Sequence, residues 1–106
     1  LEQERRPAMA PRVPFTRQGQ ELFIQAGCGA CHTVRGTPAD GVIGPDLTHV
    51  GSRLSIGAGI LPTNVGTLAG WIADSQHLKP DNLMPSFNVL RGQDLRAIAA
   101  YLESLK

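Results

Sequence analysis

Aromatic side chains are scarce in this sequence: Phe15, Phe23, Trp71, Phe87 and Tyr101 are the full set among 106 residues. So few large rings make a poor self-sufficient core, and a chain of this length hides only about 60 to 70% of the surface its unfolded form exposes. Long apolar runs are missing as well. Nothing approaches the roughly 18 residues of a membrane-spanning helix, and residues 1–14 are too polar for a signal peptide. Charge of one sign is also lacking. Ten Lys or Arg stand against nine Asp or Glu, and this balance provides no field for nucleic acid or an anionic membrane surface. Lysine occurs only at Lys79 and Lys106, and cysteine only at Cys28 and Cys31.

Glycine and proline, at twelve and eight residues, are plentiful. Length argues for one domain, and this composition suits a loop-rich chain wrapped around something other than its own side chains. The opening "LEQERRPAMAPRVP" carries three prolines and five charges without apolar periodicity. It reads as an extended linker over residues 1–14 that buries nothing, with the folded domain at 15–106.

Within that domain "TRQGQELFIQA" predicts a helix capped by Thr16 and ended by Gly27. Residues 33–61 are glycine-punctuated and read as a long loop with one helical turn near Leu47 to Val50 and no convincing strand. "TNVGTLAGWIADS" predicts a second helix capped by Thr63 or Asn64, which Pro80 cannot continue. "GQDLRAIAAYLESLK" is the clearest helix, with Leu95, Ile98, Leu102 and Leu105 at intervals of three and four. The expectation is all-α.

The chemistry gathers in "AGCGACHTV", where Cys28, Cys31 and His32 form C-x-x-C-H. This is the pattern for attaching a c-type haem. Two thiols three residues apart can each add to one of the two vinyl groups on the same porphyrin edge, and the next side chain is carried toward iron. Rival readings stay open. A thioredoxin-like redox pair needs a strand before Gly27, which is not seen. A zinc site with His49 or His77 lacks a second ligand pair of the usual spacing. A disulfide leaves the adjacent histidine unexplained.

Iron would need a sixth ligand or an open position, and Met84, Met9, His49 and His77 are the candidates. Met84 stands out in "KPDNLMPSF", a proline-flanked loop where no periodicity asks for an apolar residue. A lone methionine is otherwise core filler. An apolar wrap of Leu22, Ile43, Leu47, Leu68, Ile72, Leu83 and Ile98 is expected around the site.

Several separated pieces together resemble the class I cytochromes c, over 15–106. They are Gly19 with Phe23, the C-x-x-C-H segment, "GPDL" at 44–47, "GSRL" around Arg53, "GWI" around Trp71, the Met84 loop, and "AAYL" around Tyr101. The resemblance implies a small class I cytochrome c fold, helices and long loops around one covalently bound haem c. It also implies that Gly19 lets the last helix cross closely, that the Pro45 carbonyl holds His32, and that Arg53 and Trp71 serve the haem propionates. His32 and Met84 would be the axial ligands.

"GPDLTHVGSR" and "GWIADSQHLKPDNLMPSF" resemble the cytochrome c domain fused to subunit II of caa3-type haem-copper oxidases. That resemblance implies one-electron transfer rather than catalysis by the isolated domain, as part of a cytochrome c oxidase. The acceptor would be a copper-bearing domain, and the donor an upstream cytochrome or quinol-oxidising complex. The domain would sit on the periplasmic or outer face of the cytoplasmic membrane, attached through the parent polypeptide only. The near-absence of lysine fits a tethered domain, which has a high effective concentration and little need for long-range steering. A free or dehydrogenase-associated carrier is the alternative, followed by an open-site haem sensor or peroxidase.

Overall fold

A computed structural model describes residues 6–53, 55–56, 61–87 and 90–106. The first five residues of the expected linker, and positions 54 and 57–60 of the expected long loop, lie outside them. Among the described residues three helices carry the fold: α1 (Pro14–Gln25), α2 (Val65–Leu78) and α3 (Gly92–Glu103). Two 3-10 turns, Cys28–Ala30 and Val50–Ser52, punctuate the loop between α1 and α2. Two-residue strands β1 (Ser55–Ile56) and β2 (Leu61–Pro62) pair antiparallel, Ile56 opposite Leu61. This small ladder was not expected from the sequence; two residues a side are too short for alternation to register, and the all-α class stands.

α1 begins two residues before the expected segment because Pro14 takes the first helical position, where its missing N–H costs nothing. Thr16 is not the cap. It lies inside the first turn and donates its hydroxyl to the Val13 carbonyl at 3.0 Å. At the other end Gly27 adopts φ 84°, the left-handed conformation that stops a helix. Only Gly19 and Phe23 of α1 are buried.

α2 resolves its own choice of cap. The Thr67 N–H donates to Asn64 Oδ1 at 2.9 Å while the Asn64 N–H donates to Thr67 Oγ1 at 3.1 Å, a reciprocal capping box. In α3 the expected stripe Leu95, Ile98 and Leu102 is buried, with Tyr101 beside it, and Leu105 is buried just past the helix end.

The core forms where α1 crosses α3. A Cβ on Gly19 would overlap the Ala97 carbonyl, so only glycine permits the approach. Phe23 and Tyr101 then meet edge to face, ring centroids 5.9 Å apart, and both are almost fully buried. Burying a ring of this size stabilises the fold by about 2 to 3 kcal/mol. Leu22 and Ile98, expected to face the site, belong to this core instead.

The segment before α1 is more than a linker over its described part. Ala8 N–H donates to the Arg35 carbonyl at 2.8 Å, the Arg6 carbonyl accepts from Arg35 Nη2 and His49, and Ala8 packs on the core. Backbone groups without a ladder found partners on the neighbouring loop.

Candidate functional site

Between the loop of residues 27–53 and α2 with the 79–87 loop that follows it lies an apolar cleft of about 600 Å³. Cys28, Cys31, His32, Pro45, Arg53, Trp71 and Met84 all line it. The remaining candidates for the sixth position do not. Met9 is 68% exposed on the N-terminal segment. His77 is exposed on the last turn of α2. His49 points both ring nitrogens at backbone carbonyls, of Arg6 at 2.8 Å and Lys106 at 2.9 Å.

Local chain geometry builds the cysteine wall. Gly27 turns the chain out of α1 into the 3-10 turn, and the Cys28 carbonyl collects the Cys31 and His32 N–H groups at 3.2 and 3.0 Å. The loop after it lies back along this turn through Gly41 N–H to the Gly29 and His32 carbonyls and Gly44 N–H to the Cys31 carbonyl at 2.7 Å. Contact is so close that a Cβ on Gly44 would stand 2.7 Å from His32 Nδ1 and 2.9 Å from Nε2. His32 Nδ1 in turn donates to the Pro45 carbonyl at 2.8 Å. A donating Nδ1 leaves Nε2 with the lone pair.

Asp46 secures the same loop. Its carboxylate takes bonds from the Thr48 N–H at 2.9 Å, the Thr48 hydroxyl at 2.6 Å and Arg35 at 2.6 Å. Desolvation pushes this carboxyl up, but the two Thr48 bonds and the charges of Arg35 and Arg53 outweigh it and hold Asp46 below the usual carboxylate value.

The thiols are free. Burial pushes the Cys28 thiol up to about 11, Cys31 adding to the rise while a backbone bond opposes it. A buried, protonated thiol is a poor redox nucleophile.

On the opposite wall Trp71 Nε1 donates to Met84 Sδ at 3.1 Å. An indole has a single N–H, and here it lies on the methionine sulfur. Arg53 gives one N–H to the Asp46 carbonyl at 2.5 Å. Its guanidinium keeps further donors for the cleft.

Sequence reasoning overlooked Gly44, Asp46 and the residues that hold Met84: Ser75, Gln76 and Asn82. Only Asn82 left a readable signal. An Asn two residues before the key position closes an Asx turn, here Met84 N–H to Asn82 Oδ1 at 2.7 Å.

The helix crossing and this loop-built cleft define a small all-α domain of the class I cytochrome c type. The chain belongs to the cytochrome c family, whose pattern it matches over residues 16–106. It is 40% identical over 96 residues to cytochrome c oxidase subunit 2 of Alkalihalophilus pseudofirmus, and 31% and 34% identical to the proteins of that name from Bacillus subtilis and Bacillus sp. PS3. These matches take in 87 to 91% of the chain. It spans only 27% of each relative's length. The crystal structure of the c-type cytochrome SorU from Sinorhizobium meliloti shares the fold at a TM-score of 0.61 and 19% identity, over 86% of this chain and 90% of that one.

Membership brings one covalently bound haem c, and the cleft fits it. Two free thiols and a histidine with its far nitrogen secured occupy one wall, and a thioether the other. Ile43 and Leu83, 68 and 86% exposed, line the cleft as apolar side chains that a bound ring would cover. Among the described residues no helix is long and apolar enough to cross a membrane.

Proposed function

We propose that this chain is the electron-input domain of subunit 2 of a caa3-type haem-copper oxidase. Haem c is bound through Cys28 and Cys31, with His32 and Met84 as the axial ligands. The observation that carries the ligand pair is the facing of His32, its Nδ1 fixed on Pro45, and Met84 across one apolar cleft. Support for the oxidase role comes from three relatives named cytochrome c oxidase subunit 2, each matched by nearly all of this chain over about a quarter of its own length.

When bound, haem c supplies an iron that changes oxidation state by one electron. The residues keep that change small. The Pro45 carbonyl orients His32 and strengthens it as a donor. The Met84 thioether favours the reduced state, and Leu47, Leu68, Ile72 and Phe87 exclude water from the cleft. Arg53 and Trp71, both lining the cleft, are the residues that would meet the haem propionates. Electrons would pass at the edge by Cys28 and Cys31 to a copper-bearing domain of the same polypeptide, on the outer face of the membrane. A domain with Lys79 and Lys106 as its only lysines suits a tethered acceptor better than a steered encounter.

A haem-stained denaturing gel of membrane and soluble fractions, probed with an antibody to this domain, tests the reading. Thioether-bound haem survives denaturation, so the stained band gives the size of the native polypeptide. A membrane band several times larger than 11.3 kDa is expected; a soluble band near that mass would show a free carrier.

A further inference from the structure

The loop that carries Met84 has no backbone ladder of its own: from Pro80 to Ser86 no backbone-to-backbone hydrogen bond is found among the described residues. It is held from α2, and a break in that helix makes this possible. Asp74 leaves helical conformation at φ −149°, ψ 47°. An unbroken helix would join the Gln76 N–H to the Ile72 carbonyl. Instead the Gln76 N–H donates to Ser86 Oγ at 3.2 Å, and the Ile72 carbonyl accepts from the Phe87 N–H at 2.9 Å.

Ser75 and Gln76, just past the break, reach the methionine itself. Ser75 Oγ donates to the Met84 carbonyl at 2.9 Å, and Gln76 Nε2 donates to the same oxygen at 2.7 Å and to the Asn82 carbonyl at 2.7 Å. Asn82 closes the other side. Its Oδ1 accepts from the Met84 N–H at 2.7 Å, while Nδ2 donates to the Ser75 and Lys79 carbonyls at 3.0 and 2.6 Å. Both backbone polar groups of Met84 are therefore satisfied by side chains, and one of those, Ser75, is fully buried.

We propose that Ser75, Gln76 and Asn82 are positioning residues for Met84, a clamp built across the break in α2 that governs how readily the sixth position opens to external ligands. This rests on Met84 being the iron ligand. Opening the loop must break these bonds, and a neutral hydrogen bond lost from a partly buried site changes such an equilibrium by up to roughly tenfold. Asn82 makes three of them, so its truncation acts most strongly.

The test measures the rate of imidazole binding to the ferric, haem-loaded chain, with the sulfur-to-iron charge-transfer absorbance as a second readout. Asn82→Ala should bind imidazole roughly tenfold faster or more, with a weakened band. Asn82→Asp retains the acceptor for the Met84 N–H but loses both donations, and should fall between Asn82→Ala and wild type. Ser75→Ala and Gln76→Ala should show smaller accelerations. Wild-type rates and an intact band in Asn82→Ala and Gln76→Ala would overturn the clamp whatever their melting temperatures. Should Asn82→Ala fail to fold, Asn82→Asp and Ser75→Ala decide the same question. Met84→Ala separates the two ideas. Loss of its band alongside wild-type behaviour of the clamp variants removes the clamp alone, whereas a wild-type band in Met84→Ala removes both.

Discussion

Replacing Gly44 by alanine tests how closely the cysteine wall is fitted around His32. The new methyl would overlap His32 Cε1 and lie 2.7 Å from Nδ1 and 2.9 Å from Nε2, where carbon contacts ordinarily begin at about 3.5 Å. The ring must retreat by close to 1 Å, or the 43–46 loop must move away by as much. Either movement stretches the 2.8 Å bond from Nδ1 to the Pro45 carbonyl past the limit of a hydrogen bond. Overpacking costs about 1 to 3 kcal/mol and the lost bond about 1. Restricting the unfolded chain returns about 0.4 to 1 kcal/mol. The expected net loss, about 2 kcal/mol, should lower the urea midpoint by about 1 to 2 M. In the haem-loaded protein, losing the Pro45 bond weakens the imidazole as a donor to ferric iron, and the potential should rise by up to about 40 mV. Urea unfolding followed by far-ultraviolet circular dichroism and a redox titration read the two effects. An unchanged midpoint with an unchanged potential would mean that the loop absorbs a methyl freely and that the His32–Pro45 contact is incidental.

Gly19→Ala places its methyl on the Ala97 carbonyl and should destabilise by more than about 2 kcal/mol, despite the gain in helix propensity of about 1 kcal/mol; thermal unfolding measures it. Asp46→Asn removes a carboxyl held below its ordinary value of 3.8. Such a group stabilises the folded state above that value and ceases to as pH falls through the lowered one, so the variant should show a flatter loss of stability below about pH 4. Tyr101 behaves oppositely, because burial raises its hydroxyl above 10.0, with the Gln20 bond opposing. Its contribution is complete below pH 10.0 and lost as pH rises through the raised value, so wild type should weaken more than Tyr101→Phe as pH rises above 10.0 in urea titrations.

What was legible in the sequence follows a physical line. C-x-x-C-H could be read because covalent attachment to two vinyl groups fixes both residue type and spacing. Gly27 could be read because a helix end at φ 84° admits few residues, and the α3 stripe because a buried helix face repeats every three or four positions. The start of α1 was misplaced: Thr16 has the chemistry of a cap, but Pro14 has the fixed φ of a first turn, and the proline prevailed. Trp71, expected to serve the propionates, lines the cleft; the acceptor its N–H meets, the Met84 sulfur, is set by the tertiary fold and by no motif. The docking of Arg6 and Ala8 left no trace in sequence, since any backbone can fill that place.

The two walls of the cleft differ in the same way, and the difference bears on function. His32 is secured by backbone within 13 residues of itself, through Pro45, Gly44 and Gly41, so that wall is specified locally. Met84 is secured by side chains of α2 and of its own loop, through Ser75, Gln76 and Asn82, of which only Asn82, with its Asx turn, carries a local signal. An electron carrier is served when its ligand groups occupy the same positions in both oxidation states, because donors and dipoles set in advance need no rearrangement as charge changes. On the histidine side that fixity comes from close backbone approach, which a single methyl at position 44 should disturb. On the methionine side it comes from exchangeable hydrogen bonds across a broken helix, so on the proposed ligation that wall is the one where sequence changes should retune ligand lability without disturbing the α1–α3 core.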